Sequence, residues 1–363
     1  MVKQAAETLA GLVAKTGASA LVGNLETQML TGKVGRWTIP VSRNEGLQRT
    51  CYINCPSRAF LDYGIEELDR LTPNPVFRLG GRAVIKATAP LVQATGLDRQ
   101  VQLNNWLVAT NILPRVSADD WLLAFDELGQ LHPGYVPVLR SVNQAVHGAL
   151  LAQLIEAGLT AFPIRKVFIR NYADDRRWTS DEAKDADLLA RSDLERRPGT
   201  DFTREAFERA ANLYAQLYLE KYSALNPHYT AWFLQAAQEQ LGLVLEGLFD
   251  EREQMVGVIG RFVQHGMLTG PIVGYDRKLP RKLGLYRRLR AINHAAARQG
   301  ELLYNMSAGA EGFKRLRGGR ATVEFMVADF RRMPRSQRLA ASTLSAISHA
   351  AARPLMRRDQ APS

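Results

Sequence analysis

The chain is poor in the residues that build metal and thiol chemistry. Its 363 residues include two cysteines and six histidines, and none has the spacing of a zinc-ligand set. It has no Gly-x-Ser-x-Gly elbow, no Walker loop and no dinucleotide fingerprint. No run of about 18 apolar residues occurs, so no transmembrane segment is expected. The opening MVKQAAETLAGLVAKTG is interrupted by Glu7 and Lys15 and reads as a short amphipathic helix, not a signal peptide. A cytoplasmic location is the matching expectation. Cys51 and Cys55 lie in a stretch read as a strand. Residues four apart there share a face at about 13 Å, given about 3.3 Å per residue, which is too far for a disulfide. Two buried free thiols are expected.

What is present is basic charge, unevenly placed. The net charge is +11, and residues 275–363 hold 19 lysines and arginines against 6 acids. The rest of the chain is therefore slightly acidic. A basic surface of this kind suits phosphorylated or acidic partners: a nucleotide, an acidic carrier protein, or RNA.

The length favours two domains. Residues 1–30 read as helical, Trp37 to Val41 and Arg49 to Asn54 as strands, and Thr72 to Gly81 as a Pro/Gly-rich loop. Residues 1–175 form the first half. Residues 176–200 are charged and poor in large apolar side chains, and read as a linker. Residues 201–333 form the second half, and 334–363 a basic helical tail. In the second half two helices precede three strands, Leu241 to Asp250, Met255 to Gln264 and Met267 to Tyr275, with a His265-Gly266 turn between the last two.

The most informative stretch is 271–309. A strand hands over through Arg277-Lys278-Leu279-Pro280-Arg281-Lys282-Leu283-Gly284-Leu285 to a helix, Leu285 to Gln299, and then to a strand, Leu302 to Met306. The first N–H groups of a helix have no partner within it and suit an anion. Gly284 would let a ligand approach the backbone.

This order of elements resembles the GNAT acyltransferase fold, and the Tyr304 to Gly309 stretch resembles the ending of a two-half subgroup related to Fem-type transferases. Arg281-Lys282-Leu283-Gly284-Leu285-Tyr286 is similar to that family's pyrophosphate pattern, with Tyr286 in place of its small last residue. The resemblance implies an α/β protein of two GNAT-like halves, each a mixed, mostly antiparallel sheet flanked by helices. It implies an N-acyltransferase that takes an acyl group from acyl-CoA, or from phosphopantetheine on an acidic acyl-carrier protein, to a small-molecule amine. The amine attacks directly, and no metal is needed. An aminoacyl-tRNA donor, or a degenerate binding module, are the other readings. Within this frame Arg281, Lys282, Gly284, Leu285 and Lys314 are candidates for holding the donor.

The candidate catalytic groups are His265, Glu246, Tyr304 and Asn305. His265 offers an imidazole that titrates near neutrality. Glu246 interrupts an apolar strand, where burial would raise its pKa. Tyr304 and Asn305 alternate on the strand that the resemblance brings to the thioester, so one of them can protonate the leaving thiolate. Arg170 and Tyr172 lie on a strand expected to line a cleft between the halves, where Arg170 would clamp an acceptor carboxylate.

Overall fold

The computed structural model describes residues 2–46, 51–71 and 74–357. In the first half, helices α1 (Val2–Thr16) and α2 (Ala18–Leu21) precede strands β1 (Gln28–Val34) and β2 (Trp37–Glu45). A π-helical turn, Arg58–Tyr63, runs into α3 (Gly64–Leu71), followed by α4 (Pro75–Ala87) and α5 (Ala89–Ala94). Then come β3 (Arg99–Leu103), α6 (Ala118–Leu131), β4 (Val136–Asn143), α7 (Gln144–Glu156) and β5 (Thr160–Asn171). The second half has α8 (Ser180–Ala190), β6 (Glu195–Pro198), α9 (Arg204–Ala215), α10 (Ala231–Ala236), β7 (Val244–Phe249), β8 (Met255–Gln264) and β9 (Met267–Tyr275). It continues with α11 (Leu285–Gln299), β10 (Leu303–Asn305), α12 (Glu311–Leu316), β11 (Arg320–Ala328) and α13 (Arg335–Arg357).

The two halves share one sheet. Its eleven strands run β1-β2-β3-β4-β11-β5-β10-β9-β8-β7-β6. Only β3 with β4 and β9 with β10 are parallel. The last strand of the chain, β11, enters between β4 and β5, and β5 crosses to pair with β10. Each half therefore completes the other. At the crossing, Arg165 of β5 donates to Glu324 of β11 at 2.8 Å, with Glu324 fully buried.

Several elements depart from the sequence reading. Residues 28–34 are an edge strand, not the end of a helical region. Its polar, half-exposed composition, QMLTGKV, hides the alternation that marks interior strands. Cys51–Asn54 is a turn rather than a strand, with both thiols buried and free; Arg49 and Thr50 lie outside the described residues. The expected loop from Thr72 to Gly81 is largely α4. Asn74 caps it by accepting from Val76 N at 2.9 Å, and Pro75 takes the first turn, where its missing N–H costs nothing. The expected linker, 176–200, holds α8 and β6. Thr179 and Glu182 form a capping box for α8, so part of its charge closes a helix end.

If Arg165–Glu324 pins the crossing, removing one partner leaves a buried charge behind. Glu324→Ala should lower stability by about 3–5 kcal/mol. Urea unfolding monitored by far-UV circular dichroism measures this, and a change below about 1 kcal/mol would remove the pair from that role.

Candidate active site

The parallel pairing of β9 with β10 is short. It joins Met267–Thr269 to Leu303–Asn305 and stops. Beyond it β9 stays on β8, while Met306 and Ser307 turn to Phe168 of β5, with Met306 N to Phe168 O at 2.8 Å. The strands part into a wedge. The matching wedge beyond β3 and β4 is filled by the chain itself: Leu107 is buried in the core, and Asn111 N donates to Ser141 Oγ at 2.9 Å.

The open wedge leads into a cavity of about 270 Å³. Thr269, Gly270 and Pro271 form one wall, and Met306 to Ala310 the other. Tyr214 and Tyr218, stacked at 4.7 Å, line it with Tyr229 and Tyr286. The first half contributes Tyr52, Tyr63, Glu67, Thr110 and Arg165.

Two arginines set the electrostatics. Arg290 of α11 is 5% exposed, and it donates to Tyr286 Oη at 3.2 Å and Tyr304 Oη at 3.0 Å. No carboxylate pairs with it among the described residues. Burial works against its charge, but the neighbouring phenol oxygens outweigh that and keep it cationic. Arg165 anchors a relay. Its Nη2 donates to Thr110 Oγ1 at 2.8 Å, and Thr110 donates to Ser307 Oγ at 3.0 Å. The Ser307 hydroxyl oxygen thus accepts from Thr110, and Ser307 lines the cavity. Ser307 sits at φ 61°, a left-handed conformation that side-chain-bearing residues seldom adopt.

The predicted residues divide around this geometry. Tyr304 lines no part of the cavity and instead holds Arg290 from beneath. Asn305 accepts from Ser307 N at 2.9 Å and fixes that turn. Lys314 is 1% exposed, and its amine donates to Ser307 O at 2.9 Å and Ala308 O at 2.6 Å. Burial pushes that amine well below the usual lysine range, with Arg290 and Arg165 adding to the effect. It fastens the 307–310 loop and does not reach a phosphate.

His265 occupies the hairpin turn at φ 50°, with its ring edge-on to Trp37 at 4.6 Å, and lies outside the cavity lining. Glu246 is clamped by Arg196 and by Arg261, the latter at 2.5 Å. Burial alone would raise its carboxyl, but the two guanidinium groups bring it below the usual range. This corrects the expectation of a raised, basic carboxylate.

At the head of α11, Arg281 and Lys282 are exposed and Gly284 takes φ 61° with no side-chain cap. By contrast α6, its counterpart in the first half, opens on a closed capping box of Ser117 and Asp120. Leu285 turns its side chain into the core. What approaches Gly284 is the chain itself: Leu188 Cδ2 lies 2.8 Å from where a Cβ would stand. Helix α8 covers this end. Asp185 takes Arg287 of α11 at 2.6 Å and Arg317 at 2.6 Å. The residues as placed therefore do not fit a pyrophosphate against Gly284.

Arg170 and Tyr172 hold α8 as well. Both bond Glu182, at 3.3 Å and 2.5 Å, and Tyr172 Oη also lies 2.7 Å from His294 Nδ1. Arg170 does clamp a carboxylate, but one belonging to this chain. Among the described residues no group of three or more His, Cys, Asp or Glu is placed to hold a metal ion.

Sequence reasoning missed Arg290, Thr110 and Glu67. One signal was available. Tyr286 and Arg290 stand four apart on one helix, which places them on a single face.

The strand order, the parting parallel pair and the uncapped helix between its strands define a two-half GNAT-like fold. No protein-family model matches the chain, and no curated protein does. Among solved structures it is similar to FemX, with 8% identity and a TM-score of 0.47, over 62% of this chain and 80% of that one. It is also similar to L-PGS from Bacillus licheniformis, with 12% identity and a TM-score of 0.44, over 68% and 82%. A tandem GNAT protein from the clavulanic acid biosynthesis pathway matches at 13% and 0.37, over 65% and 76%.

The docking of α8 has a pH signature. Burial would raise the Glu182 carboxyl, but hydrogen bonds from His294, Tyr172 and Thr179 N outweigh it and bring it from 4.5 to about 2. A carboxyl held low contributes stability that is complete above its unfolded value and lost as pH falls through its folded value. Hydrogen exchange of residues 180–190 should stay slow down to pH 4.5 and quicken as pH falls toward about 2. In Glu182→Gln that step should be absent; a step that persists would assign it to another group.

Proposed function

We propose that this chain is an N-acyltransferase that moves an acyl group from an acyl thioester to an amine bound in the wedge. The observation that carries this reading is the convergence of Arg290, a buried cation paired with no carboxylate among the described residues, and the Ser307 hydroxyl on one aromatic cavity. Donors fixed in a site largely shielded from water are suited to charge that appears only as the reaction proceeds. When the amine nitrogen attacks the acyl carbon, the C–N bond forms and the carbonyl oxygen becomes an oxyanion. Arg290 and Ser307 then donate to it. Collapse of the tetrahedral carbon breaks the bond to the leaving sulfur, which takes a proton. Glu67, the carboxylate among the residues lining the cavity, takes one proton from the amine before it attacks, and the second proton of that nitrogen passes to the leaving sulfur. The tyrosine faces favour an amine that arrives as a cation.

Direct attack suits the thiols. Burial pushes Cys51 and Cys55 up to about 12, and neither lines the cavity. A thiol this basic is a poor covalent nucleophile at neutral pH. The exposed Arg281 and Lys282 offer a landing point for an acidic acyl-carrier protein that presents its thioester on a phosphopantetheine arm. Such a donor asks less of the covered Gly284 loop than free CoA does.

One observation favours a second reading. Leu188 and Asp185 occupy the head of α11, and a donor without a pyrophosphate there, such as an aminoacyl-tRNA ester, leaves α8 undisturbed. The excess of basic residues after Tyr275 suits RNA equally well.

Arg290→Met and Ser307→Ala should each lower turnover by about 10²-fold or more at little cost in amine binding, since each acts on the oxyanion. The assay is thiol release from acyl-CoA and acyl-carrier-protein thioesters with an amine panel. Product from aminoacyl-tRNA alone would move the assignment to the second reading. Amine binding without turnover from either donor would make the cavity a binding module.

A further inference from the structure

Between β2 and β3 the chain makes an excursion that the core scarcely holds. Of residues 58–69 and 74–91 none is buried, although Ser57 before them and Val92 after them are. Helices α3 and α4 pack chiefly on each other and on the π-helical turn. A Cβ on Gly81 would stand 2.5 Å from Leu68 Cδ2, Ile85 Cδ1 approaches Gly64, and Arg82 pairs with Asp69. Ring contacts with the rest of the molecule gather at the near end. Phe60 lies edge-on to Phe162 at 6.0 Å, and Tyr63 stacks on Tyr52 at 4.7 Å. A unit with so few buried apolar contacts opens at lower cost than the sheet beneath it.

One carboxylate ties the two feet of the excursion. Asp98, which follows α5, accepts from Ser57 N at 2.9 Å and from Ser57 Oγ at 2.5 Å, with Cys55 Sγ 3.5 Å away. Each foot leads into a break in regular helix. On the way in, the π-helical turn Arg58–Tyr63 has the wider i→i+5 bonding that recurs at functional sites. On the way out, Thr88 separates α4 from α5, and Pro90 in the first turn of α5 has no N–H to carry the helix across. The helices between these breaks bear on the site. Tyr63 and Glu67, one turn apart, line the wedge cavity.

We propose that the α3–α4 hairpin is a lid over the wedge cavity, hinged at the π-helical turn and at Thr88 and clasped at its feet by Asp98. Opening lifts Tyr63 from Tyr52 and takes Glu67 off the cavity wall, which admits substrate from that side. Closing returns the carboxylate and excludes water. The base role of Glu67 rests on the reaction proposed above; the hinges and the clasp do not.

The test uses the full chain carrying Thr269→Cys, which puts a thiol on the cavity wall at a position 1% exposed. Labelling by N-ethylmaleimide is followed by mass spectrometry of peptides, which separates this thiol from Cys51 and Cys55. Asp98→Asn loosens the clasp and Phe60→Ala the near-end contact, and neither residue lines the cavity. Each should speed labelling at position 269 by about tenfold or more, and hydrogen exchange of residues 64–69 and 75–87 by a similar factor, with β8 and β9 unchanged. Thermal midpoints close to the parent's would show that the variants remain folded, and if one unfolds the other decides. Equal labelling rates in parent and variants would overturn the lid. So would a position 269 that reacts in the parent as fast as an exposed cysteine, or a hairpin that exchanges as slowly as β8 and β9. Neither readout uses turnover, so failure of the lid and failure of the acyl-transfer reading are told apart.

Discussion

The desolvated ion pair between Arg165 and Glu324 is the constraint on which the centre of the molecule depends. It joins β5 to β11, the two strands by which each half completes the other. Burying two charges is costly unless geometry and further hydrogen bonds compensate. Arg165 meets that condition by donating also to Ala109 O at 2.7 Å and to Thr110. The same guanidinium thereby orients Thr110, and through it Ser307. The interaction that fixes the sheet crossing also fixes a hydroxyl in the cavity, so architecture and site share one anchor.

The two halves have the same plan and unequal openings. Both contain a parallel pair whose strands part. In the first half the chain after β3 turns back into the gap, and the following helix begins with its N–H groups bonded to its own Ser117 and Asp120 side chains. In the second half the gap stays open, and the following helix begins at Gly284 without a side-chain cap. The difference lies in a few residues at the strand ends, where loops can change without disturbing the sheet.

Local pattern made the interior of the second half legible. β8, β9 and α11 have the boundaries that alternation, a turn glycine and helical spacing indicate. What sequence could not supply was pairing across distance. Glu182 and Asp185 look like surface charge in a linker, yet both are buried because Arg170, Tyr172, Arg287 and Arg317 come to meet them. Gly284 was singled out for a ligand, and the atom that approaches it comes from Leu188, nearly a hundred positions earlier. Glu246 was read from the strand it interrupts, but its partners, Arg196 and Arg261, stand on the two neighbouring strands. Tyr304 and Asn305 do not line the cavity, whereas Ser307 and Arg290 beside them do.

The central position of β11 has a consequence for how the protein is made. Its neighbour β4 ends at Asn143, and β11 begins at Arg320. At about 5–20 residues per second, roughly ten to thirty-five seconds of synthesis separate the two. Once β5 is complete at Asn171, the nascent chain holds two strand edges, those of β4 and β5, with nothing yet made to lie between them. Unpaired edges of this kind recruit other chains. Among the described strands the one made last belongs at the middle of the sheet, so the gap between β4 and β5 stays open until β11 arrives to close it.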